Sequence, residues 1–306
     1  MYLQHFGLRE FPFSLTPDTE FFFRYGSHQE AYNVLLVALR TGEGFIKVTG
    51  EVGTGKTLLC RLLLKTLGDE FVTAYIPNPV LTPAALHMAL ADELGIAYAR
   101  NLGQPRLLKL INDRLIELNA AGKRVALLID EAQTLPLNTL EALRLLTNLE
   151  TEKSKLLQVV LFGQPELDQR LENPNLRQLR QRITFAHQLS PIDLQGIEGY
   201  ITHRLHVACY QGPHLFGKRS LAAMHRASRG IPRLINILSH KALLAAYGRG
   251  DAMVLPVHVR MAAHDTEDVM LHRPHLHLLH SIVGSFARAS VLLLAIVVLH
   301  SSGSAS

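Results

Sequence analysis

Eight consecutive residues, Gly50-Glu51-Val52-Gly53-Thr54-Gly55-Lys56-Thr57, constrain this chain more than any other feature of it. They fit the pattern Gly-x-x-x-x-Gly-Lys-Thr and stand between an apolar run at 45–49 and a run of helical periodicity at 57–67. A strand therefore leads into the loop and a helix leads out. Glycines at 50, 53 and 55 let the backbone wrap closely around phosphate groups, while loop N–H groups and the helix N-terminus supply partial positive charge. Lys56 is placed to reach the β- and γ-phosphates and the Thr57 hydroxyl to ligate Mg²⁺, with Glu51, Val52, Thr54 and Leu58 completing the loop wall. The expected ligands are ATP and Mg²⁺.

A second motif lies some seventy residues on. Residues 125–129 form an apolar strand that delivers Asp130 and Glu131 at its carboxyl end, the edge at which open α/β sheets bind ligands. Asp130 is expected to hold Mg²⁺ through water, and Glu131 to act as general base toward an attacking water. The blander reading makes Asp130 the N-cap of the next helix and Glu131 a solvated acid.

Strand-like runs recur at 71–76, 156–162 and 183–187, and alternate with helical patterns near 82–95, 105–121 and 136–150. This alternation predicts an α/β fold with a five-stranded parallel sheet flanked by helices. After Pro191 the strand signals stop, and 193–264 reads as four helices bounded by Gly212, by Gly230 with Pro232, and by 248–256, a small all-helical lid. The expected division is an aromatic segment at 1–28 folded irregularly against the core, a nucleotide-binding domain at 29–190, a helical lid domain at 191–268 and a tail at 269–306. With 306 residues and 48% hydrophobic content there is material for two cores. The balance of 31 basic against 26 acidic residues is too slight to argue for nucleic acid. Cys60 and Cys209, two isolated thiols, build neither a disulfide framework nor a zinc site. The first residues lack the basic and apolar regions of a signal peptide, so the body is expected in the cytoplasm.

Sheet, motifs and lid together resemble the AAA+ ATPases. The resemblance implies a γ-phosphate sensor at the end of the 156–162 strand, where Gln164 stands; a helix cap is the alternative for that residue. It implies an arginine, Arg182 or Arg180, that reaches a neighbouring subunit's site, against a solvated basic helix face, and therefore self-association into an oligomer or ring. It also implies that Arg233, in Gly230-Ile231-Pro232-Arg233, contacts the nucleotide from the lid.

The stretches His5-Phe6-Gly7-Leu8, Pro12-Phe13, Thr16-Pro17-Asp18, Asp130-Glu131-Ala132-Gln133 and Tyr200-Ile201-Thr202-His203-Arg204-Leu205 narrow this to a resemblance with the ExeA/GspA-like AAA ATPases of bacterial secretion and pilus systems, over residues 1 to about 268. That family implies action at the inner membrane on components of a pilus or secretion apparatus. The competing class is a DNA-associated ATPase of the transposition-helper or replication-initiator type, but 248–268 leaves no room for an added DNA-binding module. A non-hydrolysing nucleotide switch is a third reading, against which Glu131 argues.

The tail departs from the family pattern. It carries His272, His275, His277, His280 and His300, read as incidental rather than metal-ligating, and then nine apolar residues at 291–299. As a helix, 281–299 would extend about 28 Å, enough to match a bilayer's hydrocarbon. Arg288 opposes insertion by roughly 2.5–3.5 kcal/mol, which nearly cancels the apolar gain. A membrane anchor and a non-inserting tail both stand.

Overall fold

The computed structural model describes residues 2–99, 101–150 and 155–270. The tail histidines and the 281–299 segment lie outside them. Among the described residues no helix is long and apolar enough to cross a membrane. The chain divides after Ala262 into two compact units; the first holds the sheet and the helices packed around it, and the second, from Ala263 on, includes a short helix at Glu267–Met270.

Five strands form one sheet: β1 (Phe45–Gly50), β2 (Phe71–Ile76), β3 (Arg124–Ile129), β4 (Gln158–Gly163) and β5 (Ile183–Leu189). All pairings are parallel and the order is β2-β3-β4-β1-β5. The two strands that carry the sequence motifs, β1 and β3, are thus separated by β4, and all three end along the same edge.

Alternation along the strands explains why both faces are covered. Val125, Leu127 and Ile129 of β3, with Val159 and Leu161 of β4, enter one core; Ala126 and Leu128, with Val160 and Phe162, enter the other. The first core is closed by α4 (Pro83–Glu93), α5 (Gln104–Ala120) and α6 (Leu137–Leu146) through residues such as Leu86, Ile111 and Leu140. The second is closed by α2 (Gly26–Thr41) and α3 (Lys56–Thr66) through Leu35, Leu39, Leu59 and Leu63. Each such side chain, fully buried, contributes roughly 1.5–3 kcal/mol relative to exposure. Two small helices, α7 (Glu166–Leu171) and α8 (Arg177–Arg182), link β4 to β5. Four more follow the sheet: α9 (Leu194–Val207), α10 (Lys218–Ser228), α11 (Pro232–Gly248) and α12 (Pro256–His264).

Several details differ from the sequence reading. The helix expected to run to 150 stops at Leu146, where the Thr147 hydroxyl turns back to the Arg144 carbonyl at 2.9 Å. β4 begins at Gln158 rather than 156, because Leu156 is already committed through its N–H to the Leu149 carbonyl at 3.0 Å. The aromatic amino-terminal segment is more regular than expected. It opens with α1 (Tyr2–Phe6) and contains a single 3-10 turn at Thr19–Phe21 before α2. α1 rests on α11, with the Tyr2 hydroxyl and His240 Nδ1 2.9 Å apart.

Candidate nucleotide site

At the end of β1 the chain turns through Gly53 (φ 81°) and Gly55 (φ 99°), left-handed conformations that L side chains rarely adopt, and α3 begins at Lys56. Thr54 is fully buried behind the loop and donates from Oγ1 to the Glu51 carbonyl at 2.8 Å. His28, at the start of α2, ties the loop down from below: its Nε2–H donates to the Thr54 carbonyl at 2.6 Å. A carbonyl can only accept, so this contact fixes the ring tautomer, and burial pushes the His28 pKa down.

Lys56 is buried and donates from Nζ to the carbonyls of Gly50 (2.7 Å) and Glu51 (3.0 Å). Burial lowers its pKa, an effect opposed by the carboxylates of Glu131 and Asp130. The Thr57 hydroxyl donates to Asp130 Oδ2 at 2.6 Å, which joins the first residue pair expected to meet at Mg²⁺. Asp130 is only 3% exposed, and burial raises its pKa while the Thr57 and Glu131 hydrogen bonds oppose the rise. Its Oδ1 accepts from the Glu131 backbone N–H at 2.9 Å, so it caps no helix.

Glu131 stands in the left-handed region (φ 51°), an unusual conformation for a residue that is not glycine. Its Oε2 accepts from Gln133 Nε2 at 2.6 Å and from Gln164 Nε2 at 3.1 Å, while Gln133 Oε1 takes the Gln164 backbone N–H at 3.0 Å. Gln164 therefore spends its side chain on Glu131 rather than on capping α7. Gln133, for which no role was read from the sequence, closes the triangle.

The carboxyl edge of the sheet opens into a cleft of about 330 Å³. Val52, Gly53, Gly55, Lys56, Thr57 and Leu58 line its floor, and Glu131 and Gln164 its side. Gly50, Glu51, Thr54 and Asp130 are not among its lining residues; Asp130 meets the cleft through Thr57. Arg233 faces it from the first turn of α11, with its backbone N–H donating to the Gly53 carbonyl at 3.1 Å. The approach is close: a Cβ on Gly53 would stand 2.6 Å from Arg233 Cβ.

Two further walls were not expected. Ser14 to Asp18 cross the mouth of the cleft, and Tyr200, Arg204 and Asn236 back them from α9 and α11. Arg204 is 4% exposed and, among the described residues, pairs with no carboxylate; it donates from Nε to the Pro12 carbonyl (2.5 Å) and from Nη2 to the Ser14 carbonyl (3.2 Å), with its guanidinium 4.6 Å from the Phe21 ring centroid. Its sequence signal was the i, i+4 spacing of Tyr200 and Arg204 on one helix face, which has no chemistry of its own until the amino-terminal segment lies over it.

Arg180 and Arg182 are not at this cleft. Arg180 is exposed, and Arg182 donates from Nη1 to Thr147 Oγ1 at 3.2 Å, beside the end of α6.

A parallel sheet in this order, a glycine loop with Lys56 and Thr57 on one strand end, an acidic pair on another and helices over the cleft define a P-loop fold of the AAA+ class. Residues 39–171 match the AAA domain family, and the chain carries an AAA domain. It is similar to General secretion pathway protein A of Aeromonas hydrophila, with 46% identity over 269 residues. That alignment takes in 88% of this chain, which spans about half (49%) of the relative's length. Among solved structures, the ORC2 protein of Aeropyrum pernix with ADPNP and ADP superposes at a TM-score of 0.62, with 16% identity over 84% of this chain and 71% of that one. Cdc6p of Pyrobaculum aerophilum gives 0.63 and 21% identity over 86% and 74%. At these identities the likeness to the solved structures is one of fold.

Proposed function

We propose that this chain binds ATP with Mg²⁺ and hydrolyses it, as the ATPase of a bacterial secretion or type IV pilus assembly system at the inner membrane. The observation that carries the chemistry is the 2.6 Å contact between Thr57 Oγ1 and Asp130 Oδ2, with Glu131 next to it on the cleft. Two hard oxygen donors at the N-terminus of a phosphate-loop helix suit Mg²⁺, which when bound would neutralise charge on the phosphate oxygens. Lys56, buried and held only by carbonyls, gains a better partner when its ammonium turns to a phosphate.

Gln133 and Gln164 fix Glu131 through Oε2, and Oε1 takes no hydrogen bond among the described residues. Oε1 is the oxygen that accepts the proton of the attacking water. Gln164, sharing that carboxylate, senses the γ-phosphate through the same hydrogen-bond triangle. Arg233 joins the α9–α12 lid to the phosphate loop, and Arg182 or Arg180 acts on a neighbouring copy's site, so the working form is an oligomer.

The similarity to General secretion pathway protein A supports the secretion setting. The sequence stretches named above resemble in particular MshM, the ATPase of mannose-sensitive haemagglutinin pilus biogenesis, and support the pilus within that setting. The test of the chemistry is Mg²⁺-dependent phosphate release from ATP. Glu131→Gln should keep nucleotide binding and lose turnover by about 10²–10⁴-fold, and Lys56→Ala should lose binding. Wild-type turnover in Glu131→Gln would remove the proposed base. For the setting, pilus or secretion components should co-purify from envelope membranes in an ATP-dependent manner.

A further inference from the structure

The positive charge of this chain is concentrated in its lid. Residues 191–268 hold nine Lys and Arg against six acids, Asp193, Glu198, Asp251, Asp265, Glu267 and Asp268, so more than half of the chain's net +5 lies there. Asp251 is already engaged, with Oδ2 3.0 Å from His258 Nε2 and 3.7 Å from Arg249 Nε.

Part of this charge converges. On α10, Arg219, Ala222, Ala223 and Arg226 follow the i, i+3, i+4, i+7 spacing of one helix face; on α12, Val257 and Arg260 are three residues apart. The two faces meet in a shallow groove of about 600 Å³ that no acidic residue lines. The three guanidiniums are exposed and have no ion-pair partner among the described residues. Between them the lining is Ala222, Ala223, Leu255, Pro256 and Val257, without a hydroxyl or amide side chain. Leu255 is 45% exposed, and Met261, one turn on from Val257, is 47% exposed.

We propose that this α10–α12 face docks on an anionic phospholipid surface, with Arg219, Arg226 and Arg260 on headgroup phosphates and Leu255 and Met261 entering the headgroup boundary. A nucleic-acid backbone also attracts arginine, but such interfaces draw on Ser, Thr, Asn and Gln donors as well, and an apolar floor offers a sugar-phosphate chain nothing. Arginines interleaved with exposed Leu and Met match an interfacial surface, where hydrocarbon and headgroup lie a few ångströms apart. The proposal is independent of the ATPase reading, since the face lies outside the residues that line the nucleotide cleft.

Flotation of the full chain with vesicles, without nucleotide, tests it. Vesicles of phosphatidylcholine with about one third phosphatidylglycerol should capture the protein, and pure phosphatidylcholine should not. Each arginine should contribute roughly fivefold, so R219E/R226E/R260E should weaken capture by about a hundredfold. Leu255→Ser with Met261→Ser should weaken it while leaving its salt dependence. Should the charge reversal unfold the chain, raising ionic strength on the wild type asks the same question, because exposed charges are screened within about 10 Å at 0.1 M. Equal capture by neutral and anionic vesicles, which a tail that inserts on its own would give, overturns the proposal. So does capture of duplex DNA through these arginines with no capture of anionic vesicles.

Discussion

Thr57 Oγ1 donates to Asp130 Oδ2 at 2.6 Å, and this bond, with the Glu131 N–H, opposes the rise that burial imposes on the pKa of a nearly fully buried carboxyl group. Removing the donor is therefore worse than removing the charge. Thr57→Ala should cost about 1–3 kcal/mol of stability in urea unfolding, because the buried oxygen loses its partner. Asp130→Asn should cost less or stabilise. The double variant should recover most of what Thr57→Ala loses, a coupling that a double-mutant cycle measures. Additive losses would mean that the pair is not coupled in the free protein.

Gly53 faces two demands at once, a φ of 81° and the side chains of Arg233 and Ile231 pressed against it. Gly122 shares the first demand alone, with φ 73° and nothing within 4 Å of a built Cβ. Gly122→Ala should cost about 1 kcal/mol and leave nucleotide affinity alone. Gly53→Ala should cost more, and should also weaken ATP binding by about tenfold or more, since Arg233 must move away from the loop it faces. Equal effects of the two substitutions would show that lid contact with the loop does not matter to binding.

His28 gives the protein a pH dependence of known sign. Burial lowers its folded pKa below the ordinary histidine value of about 6.5. Between that lowered value and 6.5 the unfolded chain binds the proton and the folded chain does not, so stability rises with pH through the window and is lost on acidification. His28→Gln retains an N–H for the Thr54 carbonyl and does not titrate. The difference in unfolding free energy between wild type and variant should shrink toward pH 5 and level off above pH 7; a pH-independent difference would exclude His28 from the effect.

How much of this was legible in the sequence follows from what each feature depends on. The sheet was, because β1, β3 and β4 are buried on both faces and read as apolar runs, and the loop was, because phosphate wrapping needs glycine at fixed positions. The ends of α6 and β4 were not, since Thr147 and Leu156 stop them by single hydrogen bonds that no periodicity announces. In the site, Lys56, Thr57, Asp130 and Glu131 were identified within contiguous motifs. His28 and Arg204 were missed because their roles arise from neighbours 26 and about 190 residues away, and Gln133 because its bond to Glu131 closes a triangle with Gln164, 31 residues on. Arg204 in particular looks like an ordinary helical cation until Pro12 and Ser14 cross it.

Arg180 and Arg182 lie beyond the cleft of their own chain. Arg182 is held by Thr147 and Arg180 is exposed, while the cleft's own cations are Lys56, Arg204 and Arg233. Of these, Arg204 is locked by the carbonyls of Pro12 and Ser14. If a further guanidinium is needed where charge develops on the transferred phosphoryl group, it must come from another copy, and such an arginine typically contributes about 10³–10⁵ in rate. Turnover per chain should then climb with protein concentration. Mixing gives the sharper test. A Glu131→Gln chain has a dead site but intact arginines to donate; a chain with Arg180→Ala and Arg182→Ala has an intact site but nothing to donate. Each alone should be inactive, and the mixture should recover a fraction of wild-type turnover set by how often the two stand side by side. A mixture that stays inactive, while both chains bind ATP and co-assemble, would show that neither arginine acts across a subunit boundary. Thr147→Ala separates the remaining possibility, because it frees Arg182 without touching the cleft: if Arg182 is the acting residue, its release should change turnover in assembled protein and leave ATP affinity where it was.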